Sequence, residues 1–253
     1  MDEIVSIITP LFNSATFIEE TIESVISQTY NDWEMIIIDD CSNDGSLELV
    51  KDIAKDDLRI RLISLKNNLG PSNARNEGIK QACGRYIAFL DSDDLWHKDK
   101  LEKQIKFMNS NEYAFTFTGY EKIDESGDSI GIVLPYKNRV SYHDLLKSNH
   151  IGCLTVMLDM KLLGDKKYMP DIIKRQDHGL WLNVLKGVKS AYCLDEILGE
   201  YRIRQGSVSI NKLNNVKYQW KLYRSIEKMN ILQSLYYMAF YSYYGLRKYL
   251  NLI

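Results

Sequence analysis

Hydrophobic runs alternate with helical stripes through the first third of the chain. Short apolar runs predict strands over residues 5–9, 33–38, 60–65 and 86–90. Apolar residues spaced three and four apart predict helices over residues 15–28, 46–55 and 72–82. Strands joined by single helices indicate right-handed crossovers and a largely parallel sheet. We therefore predict an α/β fold.

The pattern is looser from residue 112 onward. Apolar runs predict strands over residues 114–120 and 154–158, with a glycine-containing turn at 126–128. A helix over residues 177–185 and an edge strand over 194–203 complete this part. We expect the loop 204–207 to be mobile.

Acidic residues follow two of the predicted strands. Asp39 and Asp40 end the second strand, and Asp91, Ser92 and Asp93 follow the fourth. Ligands of parallel sheets bind beyond the carboxyl ends of the strands. Side chains two residues apart on extended backbone point the same way, so Asp91 and Asp93 can face one cation while Ser92 turns back to the sheet. Their oxygens suit Mg²⁺ or Mn²⁺ with a substrate diphosphate.

The acids have a structural alternative, which is that they cap the helix expected near Lys98 or lie in a turn. Neither a G-x-G-x-x-G sequence after the first strand nor a G-x-x-x-x-G-K-[ST] sequence occurs. Dinucleotide-binding and P-loop functions are therefore disfavoured.

Composition narrows the functional classes further. The 253 residues are 45 % hydrophobic and 26 % charged, which excludes disordered and collagen-like chains. Four widely spaced cysteines exclude zinc-ribbon and thioredoxin motifs and favour a reducing cytoplasm. A net charge of −2 argues against nucleic acid as a partner. An acidic N-terminus and the lack of a long apolar run predict neither a signal peptide nor a membrane span.

The C-terminal residues 211–253 differ from the rest. Six basic residues against one acid give residues 213–253 a charge of +5, which leaves −7 on residues 1–212. Helical spacing predicts one basic face, made of Lys217, Lys221, Arg224 and Lys228. Two apolar stripes accompany it: Val216, Trp220, Tyr223 and Ile226, then Leu235, Tyr236, Ala239, Phe240 and Tyr243. This composition favours a peripheral membrane contact, and the alternative is docking on the catalytic domain or on another subunit.

Four blocks of sequence occur in a recognisable order. They are IITPLFN at 7–13, IDDCSNDGS at 38–46, GPSNARNEGI at 70–79 and FLDSDD at 89–94. Two weaker blocks follow, RQDH at 175–178 and YRIR at 201–204. Together they resemble glycosyltransferase family 2, the inverting nucleotide-sugar transferases, here of the bacterial surface-polysaccharide type. The resemblance implies the A-type glycosyltransferase fold, a Rossmann-like, mixed and mostly parallel sheet flanked by helices, with a helical C-terminal tail.

The resemblance assigns the donor site. Pro10 and Phe12 would pack on uracil, and Asp40 would accept a hydrogen bond from the uracil edge, with Asp39 in support. Arg75 would orient the acidic loop or touch the donor.

The same resemblance assigns the residues around the sugar and the diphosphate. Asp91 would contact the ribose or the metal, beside Ser92, and Asp93 would be the principal metal ligand. Arg204 stands where the family commonly has a histidine, and would supply a cation to the leaving group.

Asp177 matches the family's catalytic base, although Gln176 replaces the commoner acid before it. The alternative is that Asp177 is an N-cap, for which aspartate is preferred. His178 is a less suitable base, because no motif fixes its direction.

The expected protein is a metal-dependent inverting hexosyltransferase. It would move glucose or galactose, with or without an N-acetyl group, from a UDP-sugar to a lipid-linked oligosaccharide and form a β-linkage for O-antigen or capsule. The catalytic domain would span 1–210, with a nucleotide part (1–97), an acceptor part (98–210) and the tail 211–253. The alternatives are a non-catalytic nucleotide-sugar-binding module and a sugar nucleotidyltransferase. We expect a cytoplasmic protein, at most peripheral at the inner face of the cell membrane.

Overall fold

The computed structural model describes residues 3–135, 137–204 and 212–249. Within them, ten strands form one sheet in the order β3-β2-β1-β4-β9-β6-β10-β5, with β7 paired to β6 and β8 to β10. The strands are Val5–Leu11 (β1), Trp33–Asp39 (β2), Ile60–Ser64 (β3), Tyr86–Phe89 (β4), Leu95–Trp96 (β5), Phe115–Ile123 (β6), Ser129–Val133 (β7), Arg139–Val140 (β8), Met157–Asp159 (β9) and Ala191–Arg202 (β10).

Helices cover both faces of this sheet, and those predicted in the first third are confirmed with shifted ends. The α-helices of the described residues are Ile18–Ile26 (α1), Ser46–Asp56 (α2), Pro71–Gln81 (α3), Lys100–Asn111 (α4), Tyr142–Lys147 (α5), Met160–Leu163 (α6), Gln176–Leu185 (α7), Lys212–Lys221 (α8) and Ile231–Tyr249 (α9).

The sheet is mixed and mostly parallel, as predicted. β1 pairs in parallel with β2 and β4, and β2 with β3. β9 is antiparallel to both of its neighbours, so β6 runs in the direction of β4, and β10 is parallel to β6. The carboxyl ends of β1, β2, β4 and β10 therefore lie at one edge of the sheet. The prediction that β10 is an edge strand is wrong, because the short strands β5 and β8 pair with its outer side.

Successive side chains of each strand point to opposite faces of the sheet, so the core has two layers. Ile8 and Ile38 belong to one buried cluster, whereas Ile7 and Ile37 belong to the other. Helix α3 packs closely on β1 and β2 through Gly78, where a Cβ atom would stand 2.6 Å from a methyl group of Ile8. This close contact fixes α3 over the sheet.

The C-terminal tail docks on the rest of the chain. A π-helical segment, Leu222–Ile226, follows α8, and its first two side chains are fully buried in the main core. The hydroxyl of Tyr223 donates to the carbonyl of Leu146, and Lys186 lies 2.7 Å from the buried carboxylate of Glu227. The docking alternative is thus confirmed for this stretch.

The predicted basic face of the tail is wrong as a continuous helical surface. The π-helical segment changes the helical register after α8, and Lys228 has φ 53°, outside any helix. The first apolar stripe contributes Tyr223 to the core. None of the described helices has both the length and the apolar character that crossing a bilayer requires.

A lysine is buried in the core at the start of α4. Lys100 is 0 % exposed, and its Nζ donates to Gln104 Oε1 at 2.6 Å and lies 4.9 Å from the ring centre of Trp96. Burial lowers the pKa of Lys100 to about 7, from 10.5 in the unfolded chain. Between these two pKa values the unfolded chain binds more protons, so the free energy of unfolding rises with pH in this window.

Lys100→Met should remove this pH dependence. Between about pH 7.5 and 9.5, the parent should gain about 2 kcal/mol of unfolding free energy relative to the variant. Denaturant unfolding at several pH values measures the difference, with Lys106→Met as the matched control, because it removes an exposed lysine from the same helix. Parallel curves for the parent and Lys100→Met would contradict a lowered pKa.

Candidate functional site

The acidic segment 91–94 leaves the carboxyl end of β4, and two of its acids face arginines. Arg75 of α3 forms an ion pair with Oδ1 of Asp91, and Arg204 Nε lies 2.7 Å from Oδ2 of Asp93. Neither acid caps α4, since the residue before that helix is Asp99. The other form of the alternative, that the acids lie in a turn, is confirmed, because the N–H of Asp94 donates to the carbonyl of Asp91 at 3.1 Å. These acids therefore face the edge where the parallel strands end.

Arg202 holds this segment in place. It ends β10, and its side chain, 3 % exposed, donates from Nη2 to Glu20 at 2.6 Å and from Nε to the carbonyl of Asp93 at 3.0 Å. Its backbone N–H donates to Oδ1 of Asp94 at 2.9 Å, across 108 residues of sequence. The role of Arg202 was not predicted, and the only sequence signal was its place in the YRIR block.

Negative charge accumulates in the segment. Burial and the neighbouring Asp91 raise the pKa of Asp93 above its ordinary value. Burial and the carboxylate of Asp93 raise the pKa of Asp94 well above its ordinary value. A cation bound here would relieve this repulsion.

Ser92 turns away from the two flanking acids. It is 6 % exposed, and its hydroxyl donates to the hydroxyl of Ser14 at 2.9 Å. The orientation of Ser92 agrees with the prediction, but its cause differs, because residues 91–94 form a hydrogen-bonded turn and not extended chain. A contact of Ser92 with the donor stays a prediction.

The end of β1 presents an aromatic ring at the same edge. Phe12 is 47 % exposed, and Pro10 is half-buried within the strand. An exposed ring beside the sheet edge can stack on a planar base. The predicted uracil contact of these two residues is compatible with this placement.

The acids after β2 support loops. Asp40 is 3 % exposed and accepts hydrogen bonds from the backbone N–H groups of Leu69 at 2.7 Å and Gly70 at 2.8 Å. Gly70 adopts φ 82°, a conformation that favours glycine, and α3 begins directly after it. Asp39 is fully buried and accepts from the hydroxyl of Ser64. Asp40 thus holds the segment before α3, and Asp39 holds the end of β3. Their contact with uracil stays a prediction.

Asp177 lies in the first turn of α7. The N-cap position belongs to Arg175, with φ 70°, so the alternative that Asp177 is an N-cap is wrong. Its half-buried carboxylate lies 3.5 Å from Nδ2 of Asn149, a neighbour that the sequence did not indicate. The carboxylate of Asp177 therefore does not cap α7.

Helix α3, which carries Arg75, also contacts the segment before α7, because Ser72 Oγ donates to the carbonyl of Ile172 at 3.2 Å and Asn76 Nδ2 to that of Met169 at 2.9 Å. Burial opposes the charge of Arg75, yet Asp91 raises its pKa above the ordinary value, with a further contribution from Asp177. The predicted base is thus close enough to influence the arginine that pairs with Asp91. Cys153, in the 3₁₀ turn Cys153–Thr155, is a neighbour of Arg75 that the sequence did not indicate, and its thiol is neutral because burial raises its pKa well above the ordinary value.

His178 is a core residue. It is 0 % exposed, its Nε2 lies 3.0 Å from the carbonyl of Leu145, and burial with the nearby Arg175 lowers its pKa to about 3. A neutral, buried imidazole is a poor base for an acceptor hydroxyl.

The residues fit a divalent metal. Asp91 and Asp93 each direct one carboxylate oxygen to an arginine, which leaves the second oxygen of each for another cation. Carboxylate oxygens are hard ligands of the kind that Mn²⁺ and Mg²⁺ prefer. A separate group, His97, Glu121 and Glu200, brings its ligand atoms within 4.8 Å of one another and includes none of the predicted metal ligands.

Comparison with known proteins gives matches over most of the chain. The model of glycosyl transferase family 2 matches residues 6–162. A putative teichuronic acid biosynthesis glycosyltransferase of Bacillus subtilis, TuaG, is 42 % identical over 245 residues, 97 % of each chain. The Escherichia coli UDP-Glc:α-D-GlcNAc-diphosphoundecaprenol β-1,3-glucosyltransferase WfgD is 39 % identical, over 98 % of this chain and 95 % of its own.

Solved structures share the fold at low sequence identity. TarS 1–349 of S. aureus with UDP-GlcNAc has a TM-score of 0.71 at 20 % identity, over 93 % of this chain and 70 % of its own. The mannosyltransferase PcManGT of Pyrobaculum calidifontis, with GDP-Man and Mn²⁺, has a TM-score of 0.68 at 16 % identity, over 92 % and 69 %. This likeness confirms the predicted A-type glycosyltransferase fold.

Proposed function

The chain belongs to glycosyltransferase family 2, and on this premise we propose that it transfers glucose from UDP-glucose to a sugar on a lipid diphosphate. The product would be a β-linkage in a bacterial surface polysaccharide. Full-length similarity to a named UDP-Glc β-1,3-glucosyltransferase supports this choice of donor and acceptor. A second such relative, WfaP of Escherichia coli, is 40 % identical over 88 % of this chain.

One observation of the site carries the proposal. Asp177 and the acidic segment come from distant parts of the sequence, yet α3 contacts both regions. Its Arg75 pairs with Asp91, and its Ser72 and Asn76 donate to the carbonyls of Ile172 and Met169 in the segment before α7. An inverting transferase needs a base on one side of the reacting carbon and groups for the departing diphosphate on the other. We assign residues 1–97 to the nucleotide and 98–210 to the acceptor.

In this proposal, different side chains act on the acceptor and on the leaving diphosphate. The Asp177 carboxylate takes the proton of the acceptor hydroxyl, and the acceptor oxygen bonds to C1 as the bond from C1 to the diphosphate oxygen breaks. General-base help of this kind contributes about 10²–10⁴-fold. Attack opposite the α-linked diphosphate gives the β-glycoside.

Positive charge on the leaving side comes from this chain and from a bound cation. A divalent metal on Asp93 and Asp91 would supply charge stabilisation to the diphosphate. Arg204, which pairs with Asp93, stands beside that position. Arg75 holds the carboxylate of Asp91 in place through their ion pair.

Transfer from a panel of UDP-sugars tests the proposal. The full chain would be incubated with UDP-glucose, UDP-galactose or their N-acetyl forms, a short-chain lipid carrying α-GlcNAc-diphosphate, and Mn²⁺. We expect UDP release and a disaccharide lipid with UDP-glucose, both abolished by EDTA. Proton NMR of the product should show a β-configured anomeric centre.

Two outcomes would contradict the proposal. Binding of UDP-glucose without turnover on any acceptor would favour the non-catalytic binding module. Faster transfer from another UDP-sugar would correct the donor. A lipid carrying β-GlcNAc-diphosphate is the matched acceptor control.

A further inference from the structure

Helix α9 uses one face to dock on the domain. Tyr237 Oη lies 2.9 Å from Nδ1 of His143 on α5, Tyr241 accepts a hydrogen bond from Arg175, and Ser234 is fully buried. These three residues of α9 recur at three- and four-residue spacing, so they define its inner face.

The opposite face of α9 is apolar and exposed. Its large side chains are all more than half exposed and follow the same helical spacing: Leu232 (79 %), Leu235 (52 %), Tyr236 (53 %), Tyr243 (54 %) and Leu246 (58 %). No charged residue occurs between 229 and 246. Because α9 is apolar on both faces and the domain buries only one of them, we expect the outer face to contact a second partner.

The charged residues of the chain from position 228 onward are all positive. Lys228 precedes α9, Arg247 and Lys248 end it, and residues 228–253 contain no acid. Lys147 of α5 stands 5.1 Å from the ring centre of Phe240 on α9. The nearest acid in sequence, Glu227, is 1 % exposed and paired with a lysine.

The charges near the outer face distinguish two possible partners, a second copy of this chain and an anionic lipid surface. A second copy of this chain, packed face to face, would bring positive residues against positive residues, with no exposed acid on the tail to pair with them. On an anionic lipid surface, the leucines can insert among the acyl chains and the tyrosines can lie in the interfacial zone. The lysines and the arginine can pair with the negative headgroups.

We infer that the outer face of α9 lies on an anionic phospholipid surface. The inner face of the same helix holds Arg175, which is the N-cap of the helix that carries Asp177. Membrane docking therefore sets the acceptor side of the site at the lipid surface. The inference rests on the proposed function only for the identity of the acceptor.

Vesicle sedimentation tests the inference with the full chain. We expect the parent to sediment with vesicles of equal parts phosphatidylcholine and phosphatidylglycerol, more weakly at high salt. The double variant Leu232→Gln/Leu235→Gln should bind at least about tenfold more weakly, because it removes two exposed leucines from the face. The matched control Leu58→Gln/Leu162→Gln, which removes two exposed leucines elsewhere, should bind like the parent.

The inference is overturned if the parent ignores these vesicles or if the double variant binds them as well as the parent does. It is also overturned if light scattering shows a dimer of the parent that the double variant dissociates. Sugar transfer to a soluble short-chain acceptor is measured in parallel and should be equal in parent and variant. Vesicle binding without any transfer would refute the proposed function and leave the docking face in place.

Discussion

Replacing Asp93 by asparagine should abolish sugar transfer at every Mn²⁺ concentration. Asparagine keeps the size of the side chain but removes the anionic oxygen that the proposed metal requires. Because burial and Asp91 already oppose the charge of Asp93, neutralising it relieves repulsion, and the loss of the partly exposed Arg204 pair offsets this only in part. The melting temperature should therefore stay within a few degrees of the parent.

The matched control for this variant is Asp99→Asn. Asp99 lies six positions later and pairs with Lys103 on the surface, so the same chemical change there should leave transfer unaltered. Rates are measured over a Mn²⁺ titration, with thermal melts beside them. Near-parent turnover of Asp93→Asn would remove this residue from the metal site.

Asp177→Asn should lower transfer by about 10²-fold or more, with UDP binding unchanged. The amide cannot take the acceptor proton, and Arg175 rather than Asp177 stands at the N-cap. The stability cost is limited to the loss of a charge in the first turn of α7, about 0.3–1 kcal/mol. Calorimetry of UDP binding and single-turnover transfer on the same preparation separate the two effects.

The control for the base is Asp171→Asn, an exposed acid in the segment before α7. It should keep the parent rate. A joint loss of UDP binding and transfer in Asp177→Asn would indicate a collapsed loop. Transfer at the parent rate would assign the proton to another group, and His178 is excluded from this role because it is buried and neutral.

The local sequence pattern predicted the elements of the first part of the fold correctly. Strands β1, β2 and β4 are short apolar runs that are buried on both faces, and helices α1 and α2 have apolar residues at helical spacing, so each element is visible in its own residues. The position of the acids at the strand ends follows from the alternation of strands and helices alone, because parallel strands end at one edge. The family blocks added residue roles that no periodicity contains.

The second half depended on contacts far apart in sequence. β9 has three residues, and nothing in so short a run indicates that it lies antiparallel between β4 and β6. This reversal sets the direction of β6 and β10, and so brings Arg202 and Arg204 to Asp94 and Asp93.

The tail shows the same division between sequence and tertiary structure. Its amino acids alone determined that it is basic, rich in tyrosine and amphipathic, since composition and spacing are local properties. Which stripe faces the protein was decided by tertiary packing: the π-helical segment turns Leu222 and Tyr223 into the core and leaves the outer face of α9 uncovered. Helical periodicity defines faces, but only the neighbouring elements determine which face each of them buries.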